Sequence, residues 1–227
     1  MKLLAIEAAT EACSAALLVD GEIAEKYQVA PRQHNELILP MCESVLAEMQ
    51  VSLQQLDAIA FGCGPGAFTG VRIAAGITQG IALAHDLPVA SVSTLANLAY
   101  QAPVNNEQYI LASIDARMNE IYWAIYQKTH TGVECINHER VQPATGIEPL
   151  SQTIAYGCGT GWACDGITLQ ALTQLDESCI DAQALPRARV TAQLGEQHYQ
   201  AQQLLAAEDA LPVYLRDQVA KKKVQSS

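Results

Sequence analysis

Residues 61–84 read Phe-Gly-Cys-Gly-Pro-Gly-Ala-Phe-Thr-Gly-Val-Arg-Ile-Ala-Ala-Gly-Ile-Thr-Gln-Gly-Ile-Ala-Leu-Ala, and this is the most informative stretch of the chain. Its first part is a loop rich in glycine, which adopts backbone angles closed to residues with side chains. Its second part has the three- and four-residue apolar spacing that predicts a helix. Gly76 and Gly80 lie inside that helix, where Gly costs about 1 kcal/mol relative to Ala. These glycines indicate a close packing contact or a function, and the loop is a candidate phosphate cradle.

The segments around this stretch predict an α/β fold with a mixed sheet. Asp20-Gly21 is a hairpin turn signal, which makes the N-terminal strands antiparallel. A wide apolar face predicts a helix at residues 35–50. Strands are expected at residues 2–6, 13–19, 23–29, 58–61, 87–92, 109–115, 120–127, 132–140 and 154–156, and further helices at 70–84, 94–100, 162–175 and 191–207.

A polar, turn-rich segment at residues 101–107 divides the chain into two parts. Both parts begin with a β-meander and later run from a strand into a glycine-rich loop, which is an internal repeat of architecture. We expect an N-terminal lobe with partner-binding helices at residues 1–102 and a smaller lobe at 103–190. A C-terminal helix and tail at 191–227 are expected to pack back across the two lobes, which face each other over a cleft.

The composition excludes several classes of function. The 227 residues carry a net charge of −11, and half of them are hydrophobic. Such a chain can bury a sizeable core, but it lacks the excess of Lys and Arg that gripping a nucleic-acid backbone requires. The N-terminus does not resemble a signal peptide, and the apolar run at residues 73–87 is too short to span a bilayer. We expect a soluble, cytoplasmic protein with no membrane contact. If it acts in a nucleic-acid pathway, we expect a basic partner to make most of the contacts with the nucleic acid.

The loop at residues 7–14 is one candidate for nucleotide binding. Thr10 offers a hydroxyl there, and turn amides can bind an anion. Glu7 and Glu11 repel a phosphate unless a metal intervenes. A plain hairpin turn is the alternative interpretation.

Two glycine-rich loops are the other candidates. Residues 62–70 lead into a helix N-terminus but lack the Gly-Lys-Ser/Thr ending of a P-loop. Residues 157–161 provide Gly157 and Gly159, with no Lys or Arg nearby. Tight turns without a ligand explain both loops equally well from the residues alone.

The seven cysteines and five histidines form no recognisable metal site or catalytic dyad. No Cys-x-x-Cys pair occurs, and no His is spaced with another ligand on a helix. There is no Gly-x-Ser-x-Gly elbow, and nothing in the sequence indicates a base that activates a cysteine. We therefore expect no catalytic residue, no metal and no intrinsic cofactor.

Four segments resemble the TsaB family, also called YeaZ. The likeness covers nearly the whole chain in the right order, and the second segment is the most specific. The segments are Ile6-Glu-Ala-Ala-Thr-Glu-Ala-Cys-Ser-Ala-Ala-Leu, Gly64-Pro-Gly-Ala-Phe-Thr-Gly-Val-Arg-Ile-Ala, Ser113-Ile-Asp-Ala-Arg-Met-Asn-Glu-Ile-Tyr and Pro212-Val-Tyr-Leu-Arg. The resemblance implies two RNase H-like lobes of the actin-like ATPase superfold, which includes sugar kinases, Hsp70 and actin.

The same resemblance implies a role in the bacterial system that installs threonylcarbamoyl on N6 of the tRNA adenosine next to the anticodon. The transfer itself belongs to the paralogue TsaD, which holds a metal in a His-x-x-x-His helix. TsaB-like chains are partners of TsaD and of the ATPase TsaE, and they self-dimerise. A nucleotide at a subunit interface stays open as a further ligand.

The resemblance also assigns residues. The paralogue's two metal ligands fall near Thr94 and Leu98, neither of which can replace a histidine. TsaB-like chains usually have Asp where Glu7 stands, which weakens a nucleotide site in the first loop. The family associates through its two N-lobe helices, unless both apolar stripes are used inside the monomer core. The predicted interface residues on these helices are Leu37, Met41, Val45, Arg72, Ala74, Ile77 and Ile81.

Three functions follow as hypotheses. The first is a non-catalytic scaffold or activator of the TsaD-type transferase. The second is an independent ATP-binding phosphotransferase or ATPase of the same superfold, suggested by the glycine-rich loops. The third, a peptidase, has no assembled set of catalytic residues behind it.

Overall fold

The computed structural model of the chain describes residues 1–216, and the predicted tail beyond residue 216 lies outside the described residues. Its strands form two sheets. The strands are β1 (Lys2–Glu7), β2 (Ala12–Val19), β3 (Glu22–Val29), β4 (Ala58–Gly64), β5 (Val89–Ser93), β6 (Tyr109–Arg117), β7 (Glu120–Lys128), β8 (Val133–Cys135), β9 (Arg140–Gln142), β10 (Ile154–Cys158) and β11 (Ile180–Asp181). The α-helices are α1 (His34–Glu48), α2 (Phe68–His85), α3 (Thr94–Tyr100), α4 (Gly161–Thr173) and α5 (Ala188–Gln200).

The first sheet has the strand order β3-β2-β1-β4-β5. β1, β2 and β3 pair antiparallel, whereas β4 pairs parallel with β1 and β5 parallel with β4. Asp20 and Gly21 form the hairpin turn between β2 and β3 with φ values of 49° and 92°. The mixed sheet predicted from that turn signal is therefore observed.

Helices cover both faces of the first sheet because side chains alternate along its strands. Leu4 and Ile6 of β1 belong to the core beneath α1 and α2. Leu3 and Ala5 belong to the core on the other face, where α5 packs. Among the helices of residues 1–216, none has the length and hydropathy that a membrane crossing requires.

The second sheet has the order β11-β10-β6-β7-β8, and β9 also pairs with β7. Leu95 and Leu98 of α3 pack on one face, and Trp162 and Leu169 of α4 pack on the other. Numbered in order of appearance within each lobe, and with β9 left out of the count, both sheets read 3-2-1-4-5. The internal repeat of architecture that the sequence indicates is therefore a repeat of strand order.

Two predicted elements differ from the structure. The strand expected at 132–140 is two short strands, because the Asn137 side chain accepts the Ile125 amide hydrogen at 2.6 Å and interrupts the backbone ladder. The helix expected to reach residue 207 ends at Gln200, because Gln202 has a φ of 57° and turns the chain. Leu205 then pairs with Val89 at the edge of the first sheet.

The packing of helices also departs from the expected lobe boundaries. The first lobe was expected to end at residue 102, yet Leu95, Leu98 and Ala102 lie in a core of the second sheet. Conversely, α5 follows the second sheet in the chain but packs on the first, with Ala188 and Ala192 in its core. Each lobe thus receives a helix from beyond the sequence boundary, which ties the two lobes together.

Candidate functional site

The cleft between the two lobes is the first candidate site. It has a volume of about 260 Å³. The loop after β1 and the start of α2 line it from the first lobe, and the end of β6 (residues 114–117), Tyr122 and Thr160 line it from the second. Residues 213–216 of the C-terminal segment complete the lining.

Of the residues predicted to bind a nucleotide, Thr10 lines this cleft but Gly157 and Gly159 do not. A Cβ atom on Gly157 would lie 2.3 Å from the ring of Trp162. Gly159 has a φ of 99°, and a Cβ there would lie 2.2 Å from the carbonyl oxygen of Ser113. Both glycines therefore permit close packing inside the second lobe, and this corrects their assignment to a ligand site.

Thr160 is the residue of that second loop that reaches the cleft. Its hydroxyl accepts a hydrogen bond from the backbone N–H of Asp115 at 3.1 Å. Thr160 was not among the residues predicted from the sequence. The signal in the sequence that could have identified it is a residue with a hydroxyl group directly after Gly159.

Glu7 is the last residue of β1 and the first of the loop that was predicted to bind a nucleotide. Its carboxyl group is fully buried and accepts hydrogen bonds from the Ala9 amide at 2.9 Å and the Thr191 hydroxyl at 3.3 Å. Burial raises the pKa of Glu7 to about 7, and hydrogen bonds from Ala9, Thr191 and Ala8 oppose that rise. A Cβ on Gly62 would lie 2.1 Å from this carboxyl group. The chain therefore fills this position with its own side chain.

The glycine-rich loop at residues 62–70 packs directly against the first loop. A Cβ on Gly66 would lie 2.2 Å from the carbonyl oxygen of Ala9, and one on Gly70 would lie 2.0 Å from that of Ala8. Real Cβ atoms do not approach other atoms this closely. These glycines are explained by contact between two backbones, without a phosphate.

The charges along the cleft are already paired. Arg117 contacts Asp115 at 2.7 Å and Glu11 at 3.3 Å, and Arg216 forms an ion pair with Glu120. No lysine is among the cleft's lining residues in the described part of the chain. Residues 1–216 also contain no group of three or more His, Cys, Asp or Glu side chains placed to hold a metal ion. The cleft offers little to attract a nucleotide's phosphates.

The second candidate site is the surface of α1 and α2, where the interface residues were predicted. Met41, Val45 and Ala74 are only 8 %, 0 % and 0 % exposed, respectively. All three lie in the core between these helices and the first sheet. They are therefore unavailable to a partner, and their assignment to the interface is corrected: the wide apolar stripe faces the sheet.

The remaining predicted interface residues keep access to solvent. Leu37, Ile77 and Ile81 are half-buried and pack at the margin of the same core. Arg72 is exposed, with its guanidinium carbon 3.4 Å from the ring centroid of Phe68. These four residues remain candidates for a partner contact.

One surface of α2 is more open than its neighbours, and we call it the outer face of α2. It consists of the half-buried Ile73 and Ile77 and the exposed Gly76, Gly80 and Leu83. Helical spacing places all five on one side of the helix. A Cβ on Gly76 or Gly80 would lie more than 4 Å from every other atom that the structure describes outside the helix backbone, and Leu83 is 61 % exposed.

The two glycines are evident from the sequence, but the exposed leucines were not predicted from it. Leu83 on α2 and Leu39 on α1 are large apolar residues in contact with solvent. They lie off the apolar stripe that periodicity assigns to the core. A leucine at a position where periodicity predicts a polar residue was the available signal.

Comparison with known proteins gives relatives whose descriptions agree with one another. A family model described as "TsaD: tRNA N6-adenosine threonylcarbamoyltransferase" matches residues 22–224. A Haemophilus influenzae protein named "tRNA threonylcarbamoyladenosine biosynthesis protein TsaB" is 38 % identical over 236 residues, which cover 99 % of this chain and 97 % of that protein. The Escherichia coli protein of the same name is 40 % identical over 238 residues, covering 99 % and 98 %.

A solved structure described as "YeaZ from Pseudomonas aeruginosa" has the same fold. Its TM-score is 0.85 at 41 % sequence identity, and the match covers 94 % of this chain and 99 % of that one. The expected α/β class, two RNase H-like lobes of the actin-like superfold, is confirmed by the two sheets, the family match and this structure. The chain belongs to the TsaB (YeaZ) family, within the broader TsaD-type family whose model it matches.

Proposed function

We propose that this chain acts in tRNA threonylcarbamoyladenosine biosynthesis as a non-catalytic subunit. It binds a TsaD-type transferase through the outer face of α2 and the adjoining surface of α1, and it thereby activates the transfer. It works in the cytoplasm, with a TsaE-type ATPase as a further partner, and self-association competes for the same surface. It reaches tRNA only through the complex.

One observation carries this proposal: the outer face of α2 has glycines that nothing in residues 1–216 explains. Within that described part of the chain, a Cβ on Gly76 or Gly80 would have no atom within 4 Å. Each costs the helix about 1 kcal/mol relative to Ala. A partner's helix that packs closely against this side accounts for both glycines. Covering the adjacent apolar side chains contributes several kcal/mol, at about 25 cal/mol per Å².

A non-catalytic role is supported by what lies where the paralogue holds its metal. The resemblance places Thr94 and Leu98 at those positions, and both are buried, 0 % and 1 % exposed. Leu98 packs in the second lobe's core. An aliphatic side chain in an apolar core provides no ligand for a cation.

The charge of the chain favours indirect contact with tRNA. With a net charge of −11, the chain is repelled by a phosphate backbone at neutral pH. A basic partner subunit overcomes that repulsion for the complex as a whole.

The test is reconstitution of transfer from threonylcarbamoyl-adenylate to tRNA by the TsaD-type paralogue. Adding this chain is expected to raise the rate by at least about tenfold. Ile77→Asp is expected to abolish both binding and stimulation, because it places a charge in an apolar contact. The matched control is Ile167→Asp on α4, where the isoleucine is 88 % exposed on the other lobe. Equal stimulation by both variants would contradict the assigned surface.

A cellular measurement tests the pathway itself. Deleting the gene is expected to remove most threonylcarbamoyladenosine from bulk tRNA, and the Ile77→Asp variant is expected not to restore it. Unchanged levels in the deletion strain would contradict the proposed function, whatever the binding data show.

The alternative function, an independent ATPase or phosphotransferase, is tested by calorimetry with Mg-ATP on the isolated chain. No heat of binding is expected, because the Glu7 carboxyl group already accepts the Ala9 amide of the first loop and the cleft's arginines are paired. Micromolar binding together with turnover would favour the alternative. Binding that occurs only with the partner present would place a nucleotide at the subunit interface.

A further inference from the structure

The segment after α5 connects the first lobe to the second along the cleft. Ala207 and Ala210 are buried in the core of the first lobe. Beyond them, the Val213 amide donates a hydrogen bond to the carbonyl oxygen of Cys63 at 2.8 Å, at the end of β4. The chain then passes along the cleft, which residues 213–216 help to line.

The first anchor of this segment is Tyr214, which lies against the start of α2. Its hydroxyl accepts a hydrogen bond from Nε of Arg72 at 2.7 Å. Its ring centroid is 5.9 Å from that of Phe68, and the Arg72 guanidinium contacts both rings. Arg72 is one residue from Ile73, so this anchor borders the outer face of α2.

The second anchor is Arg216, which lies against the β6–β7 turn of the second lobe. It forms an ion pair with Glu120 and donates to the carbonyl oxygen of Arg117 at 3.4 Å. It also approaches the sulfur of Met118 at 3.7 Å. A single short segment is therefore attached to both lobes.

The turn that Arg216 holds is strained. Arg117, Met118 and Asn119 have φ values of 63°, 60° and 60°, a left-handed conformation that residues with side chains rarely adopt. Such a conformation persists only where its surroundings enforce it. Arg216 provides part of that enforcement, together with the hydrogen bond from the Arg117 amide to Asp115 at 2.7 Å.

We propose that residues 212–216 are a clasp that holds the two lobes together over the cleft and that is released or tightened by a partner docked on α2. The two lobes cannot separate at the cleft without breaking one of the anchors. The first anchor uses Arg72, which a partner on the outer face of α2 can reach. This inference rests on the proposed function for the identity of that partner, but the clasp itself is a property of the isolated chain.

The clasp is tested by hydrogen exchange of the isolated full-length chain. Tyr214→Ala is expected to raise exchange in residues 117–120 by roughly fivefold or more, although Tyr214 anchors on the other lobe. Arg216→Ala is expected to do the same and also to expose the Val213 amide. The controls are Leu211→Ala, which changes an exposed neighbour, and Arg140→Ala, which removes an exposed arginine from the second lobe. Unchanged exchange at 117–120 in Tyr214→Ala would overturn the clasp.

Adding the TsaD-type partner tests the coupling. Partner binding is expected to change exchange at residues 117–120 in the wild type but not in Tyr214→Ala. If the partner binds and this turn does not respond, the coupling is wrong while the proposed function stands. If the partner does not bind at all, the proposed function and the coupling fail together, and the isolated-chain result still decides the clasp.

Discussion

The glycines of the loop at 62–70 and those of the outer face of α2 occur within one 24-residue stretch, yet they have opposite surroundings. In the loop, Cβ atoms on Gly66 and Gly70 would lie 2.2 Å and 2.0 Å from backbone oxygens of the first loop. In the helix, Cβ atoms on Gly76 and Gly80 would meet no atom of the described residues, 1–216, within 4 Å. Packing within residues 1–216 explains the loop glycines but not the helix glycines.

The surroundings of a glycine therefore indicate which role it has. A glycine in a crowded place reports packing within the chain, and a helical glycine in an open place indicates a contact with something else. Gly166 on α4 is also open, but it follows Asp165, whose φ of −126° and ψ of 27° interrupt that helix. A local backbone irregularity accounts for Gly166, whereas α2 is regular around Gly76 and Gly80.

The largest effect is expected from Gly70→Ala. The new methyl group would collide with the carbonyl oxygen of Ala8, and neither backbone can yield because both lie in the buried contact between the two loops. We expect a loss of about 2–4 kcal/mol in the free energy of unfolding, measured by urea denaturation. The same measurement on Gly76→Ala is the control. A tolerated Gly70→Ala would remove the packing explanation of the loop.

A comparable effect, dependent on pH, is expected at Glu7, which lies against Gly62. Its folded pKa of about 7 lies above the ordinary value of 4.5, so the folded state binds the extra proton between these values. The contribution of Glu7 to the free energy of unfolding therefore falls as the pH rises from about 4.5 to 7, by about 3 kcal/mol in total.

The Glu7→Gln substitution removes this pH-dependent loss of stability, because a glutamine side chain does not titrate. We expect the variant to unfold at a higher temperature than the wild type at pH 8 and at a similar temperature at pH 4.5, as followed by calorimetry. An equal difference at both pH values would show that the glutamine changes packing and not the titration of the carboxyl group.

Much of this fold could be predicted from the sequence because its signals are local. Asp20-Gly21 indicates the hairpin, apolar runs indicate buried strands, and the repeat of a meander followed by a glycine-rich loop indicates the two-lobe plan. The split strand at 132–140 could not be predicted, since it depends on where the Asn137 side chain meets Ile125. Local patterns also do not say on which sheet α3 and α5 pack.

Three of the predicted interface residues were misassigned for a related physical reason. Helical periodicity shows that Met41, Val45 and Ala74 are apolar, but not whether the sheet or a partner covers them. The structure shows that the sheet does. Similarly, the spacing of Gly157 and Gly159 is that of a loop, and only the positions of Trp162 and Ser113 reveal that it is crowded.

The smallest change in stability is expected for Gly76→Ala, and its sign is opposite to that of Gly70→Ala. An exposed helical glycine replaced by alanine raises the free energy of unfolding by about 1 kcal/mol. Gly80→Ala is expected to behave alike, and urea denaturation of both variants measures the gain. A destabilised variant would mean that the outer face of α2 is already packed within the chain.

The most direct test of the central claim is the affinity of Gly76→Arg for the TsaD-type partner, measured by titration calorimetry. The matched control is Gly166→Arg, which places the same side chain at an open glycine on the other lobe. Both variants are expected to fold like the wild type, since a Cβ at either position would meet no described atom within 4 Å. We expect Gly76→Arg to lose about 100-fold or more in affinity while Gly166→Arg keeps the wild-type value. Equal, wild-type affinity for both variants would contradict this claim.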